Sequence, residues 1–309
     1  LSTVGGWVVT RSSGQESLGY GRIEEMTAGL EVVAPAGRMR LAAVPASAAG
    51  PDLRQLVMGS EGRLGVVTEV TLRVRPRPAQ RAVEAALLPD LASGLEVVRE
   101  LVTAGAPLTM IRLSDPTETE VAMAVGLAAT AAAPLVRGYL RLRGVSRDAC
   151  LLLYGAAGDA EALREALIPT RGLIRRHRGV VLGRTPGRRW LADRFRHPYL
   201  RDGLLDRGWV TDTLETAASW SRLAATREAV AVAVAGALGD EGERVAVMCH
   251  ISHLYRDGAS LYFTFFCRAA ADAEATVERW ARVKRAANAA IVAAGATLSH
   301  HHGVGRWHA

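Results

Sequence analysis

From residue 80 onward the chain alternates short apolar runs with longer stretches that carry a helical stripe. Arg81–Leu88, Thr109–Leu113, Cys150–Tyr154, Gly179–Leu182, Gly208–Thr213, Arg244–Ile251 and Ser260–Cys267 have the length and residue types of strands. Leu91–Ala104, Asp159–Arg176, Ser219–Leu238 and Ala271–Ala294 read as helices, the second opened by Asp159 as N-cap. No other feature constrains the fold as tightly. The alternation predicts an α+β protein whose antiparallel sheet is backed by helices in the ferredoxin-like manner. Asp115–Val136 reads as a helix-and-loop insertion over or beside a site.

The first 79 residues follow another pattern. Leu30–Ala34 and Arg38–Ala43 form a hairpin around Pro35-Ala36-Gly37, Gly50-Pro51-Asp52 opens a short helix, and Thr68–Val74 is a strand. Pro76 and Pro78 then set a domain boundary near residue 79, giving domains 1–79 and 80–309. Two loops are rich in small residues: Gly5-Gly6-Trp7 through Thr10-Arg11-Ser12-Ser13-Gly14, and Gly59-Ser60-Glu61-Gly62-Arg63-Leu64-Gly65. Neither is a Walker loop or a Gly-x-Gly-x-x-Gly turn. Such loops let amides and hydroxyls contact a phosphate or planar ring, and they also serve as ordinary turns.

Three groups have the residue types for chemistry. His300-His301-His302 precede Gly303-Val304-Gly305. Imidazoles suit proton traffic near neutrality, and the glycines permit close approach of a ligand. A surface cluster, a metal-binding tract and the remains of a tag are the alternatives; the patterned residues that follow argue against a tag. Arg201, in Tyr199-Leu200-Arg201-Asp202, can clamp a carboxylate or phosphate or simply lie in solvent. On the strand Ser260–Cys267, Leu261, Phe263 and Phe265 share one face and Tyr262 and Thr264 the other, so Tyr262 faces a site or a satisfied partner.

The formal charge is +7, but the positive residues are arginines spread among carboxylates, with Lys284 the single lysine. No basic block or nucleic-acid motif occurs, which excludes nucleic acid as partner. The arginine- and alanine-rich usage points to a GC-rich bacterial genome. Cys150, Cys249 and Cys267 are odd in number and widely spaced, as expected of reduced thiols in a cytoplasmic protein. No run is long enough for a transmembrane segment. The chain starts without methionine and stops soon after the His loop, so it reads as a fragment truncated at both ends.

Gly5 to Gly14, Gly50-Pro51-Asp52-Leu53 and Gly59 to Glu69 resemble the second half of a flavin domain in the family of vanillyl-alcohol oxidase and the FAD-linked oxidases. The likeness is greatest to the alkyldihydroxyacetonephosphate synthase (alkylglycerone-phosphate synthase) branch. It implies the C-terminal half of a p-cresol methylhydroxylase (PCMH)-type FAD-binding domain at 1–79, followed by a ferredoxin-like antiparallel-sheet cap domain backed by helices at 80–309. The family's pyrophosphate-binding loop would precede residue 1. FAD is the implied cofactor, contacted by Ser2, Thr3, Thr10, Arg11, Ser12, Ser13, Glu61, Gly62, Arg63, Leu64, Gly65, Val66 and Val67, largely through backbone and small side chains. Arg63 stands where the family usually has threonine.

The same resemblance gives Arg201 the substrate's anionic group and Tyr262 a place near the reacting carbon. Hydroxyacid dehydrogenases of the superfamily usually read Gly-Glu-His-Gly-x-Gly where this chain has His300 to Gly305. The triple histidine therefore implies the synthase branch, with Tyr262, His300, His301 and His302 as the catalytic set and no metal. The implied reaction is redox-neutral: the acyl group of an acylated dihydroxyacetone phosphate is exchanged for a fatty alcohol, as in ether lipid synthesis. The alternatives are an FAD-linked oxidoreductase acting on a 2-hydroxy acid such as lactate or glycolate, and a binding module without activity. An anionic small-molecule substrate is implied; peripheral membrane contact and a homodimer are left open.

Overall fold

The computed structural model describes residues 2–128, 133–196, 199–239, 245–306 and 308. His197 and Pro198 of the predicted substrate motif, part of the 115–136 insertion, Arg244 and Trp307 lie outside these. Ten strands are described: β1 Thr27–Ala34, β2 Gly37–Leu41, β3 Val66–Leu72, β4 Gln80–Leu88, β5 Met110–Ser114, β6 Cys150–Gly158, β7 Val180–Gly183, β8 Trp209–Ser219, β9 Ala246–Leu254 and β10 Gly258–Arg268. The helices are α1 Val4–Val9, α2 Ser17–Tyr20, α3 Ile23–Met26, α4 Arg54–Val57, α5 Leu91–Thr103, α6 Pro116–Ala128, α7 Ala133–Leu142, α8 Ala160–Arg176, α9 Arg184–Asp193, α10 Leu200–Leu205, α11 Trp220–Gly239 and α12 Ala273–Ala293.

β1 to β3 form a small antiparallel sheet in the order β2-β1-β3. Its apolar side packs Leu30 and Val32 against Val8, Ile23, Val57 and Met58. The remaining strands form one sheet, β7-β4-β6-β5-β9-β10-β8, in which every pairing is antiparallel. Within it, β4-α5-β5-β6-α8-β7 has the ferredoxin-like connectivity, with α6 and α7 inserted between β5 and β6. The expected α+β architecture is the one observed.

The helices start where short acidic side chains can cap them. Asp90 accepts from the Ser93 amide, Asp159 from the Glu161 and Ala162 amides, and Asp272 from the Ala275 amide. α5, α8, α11 and α12 cover one face of the large sheet, burying Leu113, Ile251, Leu261, Phe263 and Phe265 among Val98, Leu167, Val230 and Val283. On the opposite face, α6, α7 and α9 cover the β7-β4-β6 end, where Met123, Leu140, Trp190 and Leu191 pack on Leu87 and Val83. The β9-β10-β8 end of that face is covered by the His loop instead. Among the described residues, no helix is long and apolar enough to cross a membrane.

Candidate active site

A row of side chains crosses the large sheet. The register sets Ser114 beside His250, His250 beside Tyr262 and Tyr262 beside Glu215, on β5, β9, β10 and β8 in turn. Directly paired residues project to one face, so the row looks away from the helix-covered core.

Glu215 gathers the His loop around itself. Its Oε1 accepts from Ser299 Oγ at 2.6 Å and from the His300, His301 and His302 amides at 2.9, 3.0 and 3.1 Å. Its Oε2 lies 3.3 Å from His301 Nδ1. Successive amides converging on one anion make a nest, here filled by the protein's own carboxylate. Burial alone would raise the Glu215 pKa; His301 and the Ser299 hydroxyl hold it below the usual carboxylate range. Glu215, His300 and His301 also bring ligand atoms within 4.8 Å of one another. The Glu215 oxygens are already taken by these donors, which fits an internal anchor.

The imidazoles continue as a connected group. His300 Nδ1 is 2.9 Å from His301 Nδ1, and His300 Nε2 is 2.7 Å from the Tyr255 hydroxyl. The His301 and His302 rings lie 4.3 Å apart. His253 sits 4.7 Å from His301 and places its Nδ1 3.0 Å from Ser13 Oγ, so β9 joins the N-terminal loop to the His loop. His253 has φ 47°, a left-handed conformation rare for a side-chain-bearing residue. Burial first, then neighbouring positive charge, lowers His253 to about 2, His300 to about 3 and His302 to about 4. These three rings are neutral at neutral pH and able to take a proton.

Three histidine rings surround Tyr262, that of His301 at 6.3 Å and 29°. His250 stacks on it at 4.8 Å with 22° between planes, and His302 meets it edge-on at 5.5 Å and 89°. Burial raises the phenol pKa, so the hydroxyl keeps its proton. Behind His250, Glu118 Oε2 lies 3.2 Å from His250 Nδ1 while Glu118 pairs with Arg112. Burial would raise the Glu118 pKa; the charge of Arg112 and then His250 brings it to about 2. Burial and Arg112 in turn lower the His250 pKa, which leaves Arg112 as the lasting counter-charge.

The sequence-predicted residues fall into three groups. Tyr262, His300, His301 and His302 come together. The loop residues give their side chains to structure rather than to an open site. Ser2 Oγ accepts from the Trp7 indole, Thr3 caps α1, Thr10 Oγ1 lies 2.9 Å from Ser12 Oγ, and Arg11 donates to the Met58 and Gln55 carbonyls. Glu61 has φ 53°, and its carboxylate accepts from the Val304 and Gly305 amides at 2.6 and 2.9 Å. The glycine-rich turn thus holds the His loop directly. Gly62 and Arg63 are exposed, next to Leu64 and Val66, which are 51% and 68% exposed, while the Arg63 amide and the Gly62 carbonyl are used within the turn by the Ser60 carbonyl and the Gly65 amide. Arg201 stands apart on α10, its side chain 65% exposed and paired with Asp202. Among the described residues, no hydrogen bond or ring contact joins Arg201 to Tyr262 or the His loop. Sequence reasoning missed Glu215, Glu118 and Arg112; His250 and His253 could be expected to line the same sheet but read more readily as satisfied structural histidines, and the period-two phase of β8 and β9 is what puts Glu215 and His250 on the Tyr262 face.

Residues 77–309 match the family described as FAD linked oxidases, C-terminal domain. Alkyldihydroxyacetonephosphate synthase of Dictyostelium discoideum is 30% identical over 100% of this chain and 51% of its own length. The Caenorhabditis elegans protein of that name is 30% identical over 99% of this chain and 53% of its own. A solved alkyldihydroxyacetonephosphate synthase superposes with a TM-score of 0.81 at 30% identity, covering 96% of this chain and 54% of that one. The chain therefore spans about half the length of the curated relatives it matches.

Proposed function

Because the chain belongs to the family of FAD-linked oxidases, we propose that it is the substrate-handling part of an FAD-dependent enzyme. The reaction proposed exchanges the acyl group of an acylated dihydroxyacetone phosphate for a fatty alcohol. One observation carries this reading: Tyr262 and His302 are in ring contact on the sheet face that also bears His250 and Glu215, beneath a loop of three histidines. The family and the likeness to the synthases support it.

The residues fit a flavin. Ser60 Oγ is buried without a hydrogen-bond partner among the described residues, in the same turn as the exposed, apolar Leu64 and Val66. Residues 1–79 are read as part of the FAD-binding domain, with Thr10–Ser13 and Glu61–Val67 as its contact loops, and residues 80–309 as the cap. FAD, when bound, would supply an acceptor for the electron pair left when the carbon made acidic by the ketone loses its proton. His302, neutral at rest, takes the proton; Tyr262, protonated at rest, gives its own back and is reprotonated from the His302 imidazolium in edge contact with it. His300 and His301 shape the pocket wall. Arg201, at the exposed rim next to β8, holds the anionic end of the substrate. The same reading places the protein in ether lipid synthesis in a bacterial cytoplasm.

The test follows the flavin spectrum of the FAD-loaded protein without oxygen. Loss of the oxidised-flavin absorbance on adding an acylated dihydroxyacetone phosphate, restored by a fatty alcohol alone, is the expected result. Loss caused by a 2-hydroxy acid, restored only by an electron acceptor, overturns the exchange reaction in favour of an oxidoreductase.

A further inference from the structure

His250 is buried and Glu118 half-buried; both are titratable and unused by the proton transfer just described. Their placement is over-determined. Asp115 follows β5 directly, donates its amide to the Cys249 carbonyl at 2.8 Å and accepts the Glu118 amide at 2.8 Å. Its other oxygen is held by Arg227 of α11 at 2.6 Å. The start of α6 is thereby tied to β9 next to His250, and Glu118 is aimed at that ring.

Glu118 is an ionised carboxylate beside Arg112, so it only accepts, and His250 Nδ1 must be the donor. The Nε2 atom then carries the lone pair. We propose that Glu118 and His250 are positioning residues for Tyr262: Glu118 fixes His250 as the Nδ1–H tautomer and the orientation of its ring, and that ring sets the plane of the tyrosine. His302 closes the second side at a right angle. These two perpendicular walls, with the His301 ring 6.3 Å away and the hydrogen bond to Thr213, restrict the phenol's orientation, which is the condition for an aligned proton transfer. This inference rests on the reading of Tyr262 as a proton-transfer group.

The test uses the FAD-loaded protein carrying nitrogen-15 histidine and tyrosine labelled with carbon-13 at Cζ. The expected spectrum shows His250 protonated at Nδ1 at neutral pH and a mixture of tautomers in Glu118→Gln. His250→Leu shifts the Tyr262 resonance and lowers kcat on the order of 10²-fold with KM little changed. His250→Phe keeps a ring in the stack and loses several-fold less. An Nε2–H tautomer in the wild type overturns the proposal, as does a Tyr262 resonance that does not move in His250→Leu. Wild-type turnover by Tyr262→Phe sinks the proton-transfer reading, while the spectra still decide whether the two residues orient the tyrosine.

Discussion

Leu113, Ile251, Leu261 and Thr216 make one row across β5, β9, β10 and β8, and Ser114, His250, Tyr262 and Glu215 make the next. The rows share four strands and are about 3.4 Å apart along each. The first row is closed in by four helices and is apolar except for Thr216, whose hydroxyl donates to the Thr297 carbonyl. The second carries a histidine, a tyrosine and a carboxylate under a loop. The period of two in a strand lets one sheet supply both rigidity and reactivity without mixing them. The stiffness of the first row is what keeps the rings of the second in place.

That comparison breaks if substitutions on the two faces behave alike. Phe263→Ala empties a fully buried site of the core face and is expected to cost about 3–5 kcal/mol of stability in denaturant unfolding. Tyr262→Phe, one residue away, is expected to leave the unfolding midpoint and the flavin spectrum unchanged while turnover falls by about 10²–10⁴-fold. Loss of stability in the second, or its retention in the first, would erase the distinction.

Acid sharpens the comparison, because titrating groups crowd the second face. His253, His300 and His302 have folded pKa values of about 2, 3 and 4, below the ordinary 6.5. The unfolded chain takes up their protons first, so stability is full above pH 6.5 and declines as pH falls from there toward 4. Glu215 is depressed from 4.5, so its contribution is present above that pH and is lost below it. Melting temperatures measured from pH 7.5 down to 3.5 should hold to about pH 6.5 and fall from there, and less steeply below pH 4.5 in Glu215→Gln. An acid limb identical in that variant would remove Glu215 as the anchor of the loop. The smallest effect is expected from Arg201→Ala: KM for the anionic substrate rises about tenfold, with kcat and stability unchanged. An unaltered KM would leave Arg201 as the solvated residue its exposure suggests.

Much of this was legible in the chain itself. The phase of Leu261, Phe263 and Phe265 separated core from site, and Asp159 marked the start of α8, because both signals are local. α9 was not anticipated, since Pro186 and Gly187 read as breakers. Pro186 sits in the first turn, where a missing N–H costs nothing. Gly187 is there because a Cβ would come within 2.1 Å of the Val83 carbonyl oxygen. The core of the site was visible as Tyr262 and the three histidines. Its anchors were not: Glu215 and Ser299 meet across 84 residues of sequence, and His250 and Glu118 across 132. No local pattern carries a contact of that range.

Glu61 links two turns that lie 244 residues apart in sequence. Its carboxylate holds the amides of Val304 and Gly305, while its backbone forms the turn offered here to the flavin. Two binding events that share one residue cannot have independent free energies. Whatever ordering of the 59–65 turn a cofactor brings is transmitted to the histidines, and a substrate that draws the histidine loop closed tightens the hold on the cofactor by the same factor. Such a protein would measure its cofactor through its substrate: the dissociation constant for FAD becomes a readout of occupancy beneath the histidine loop.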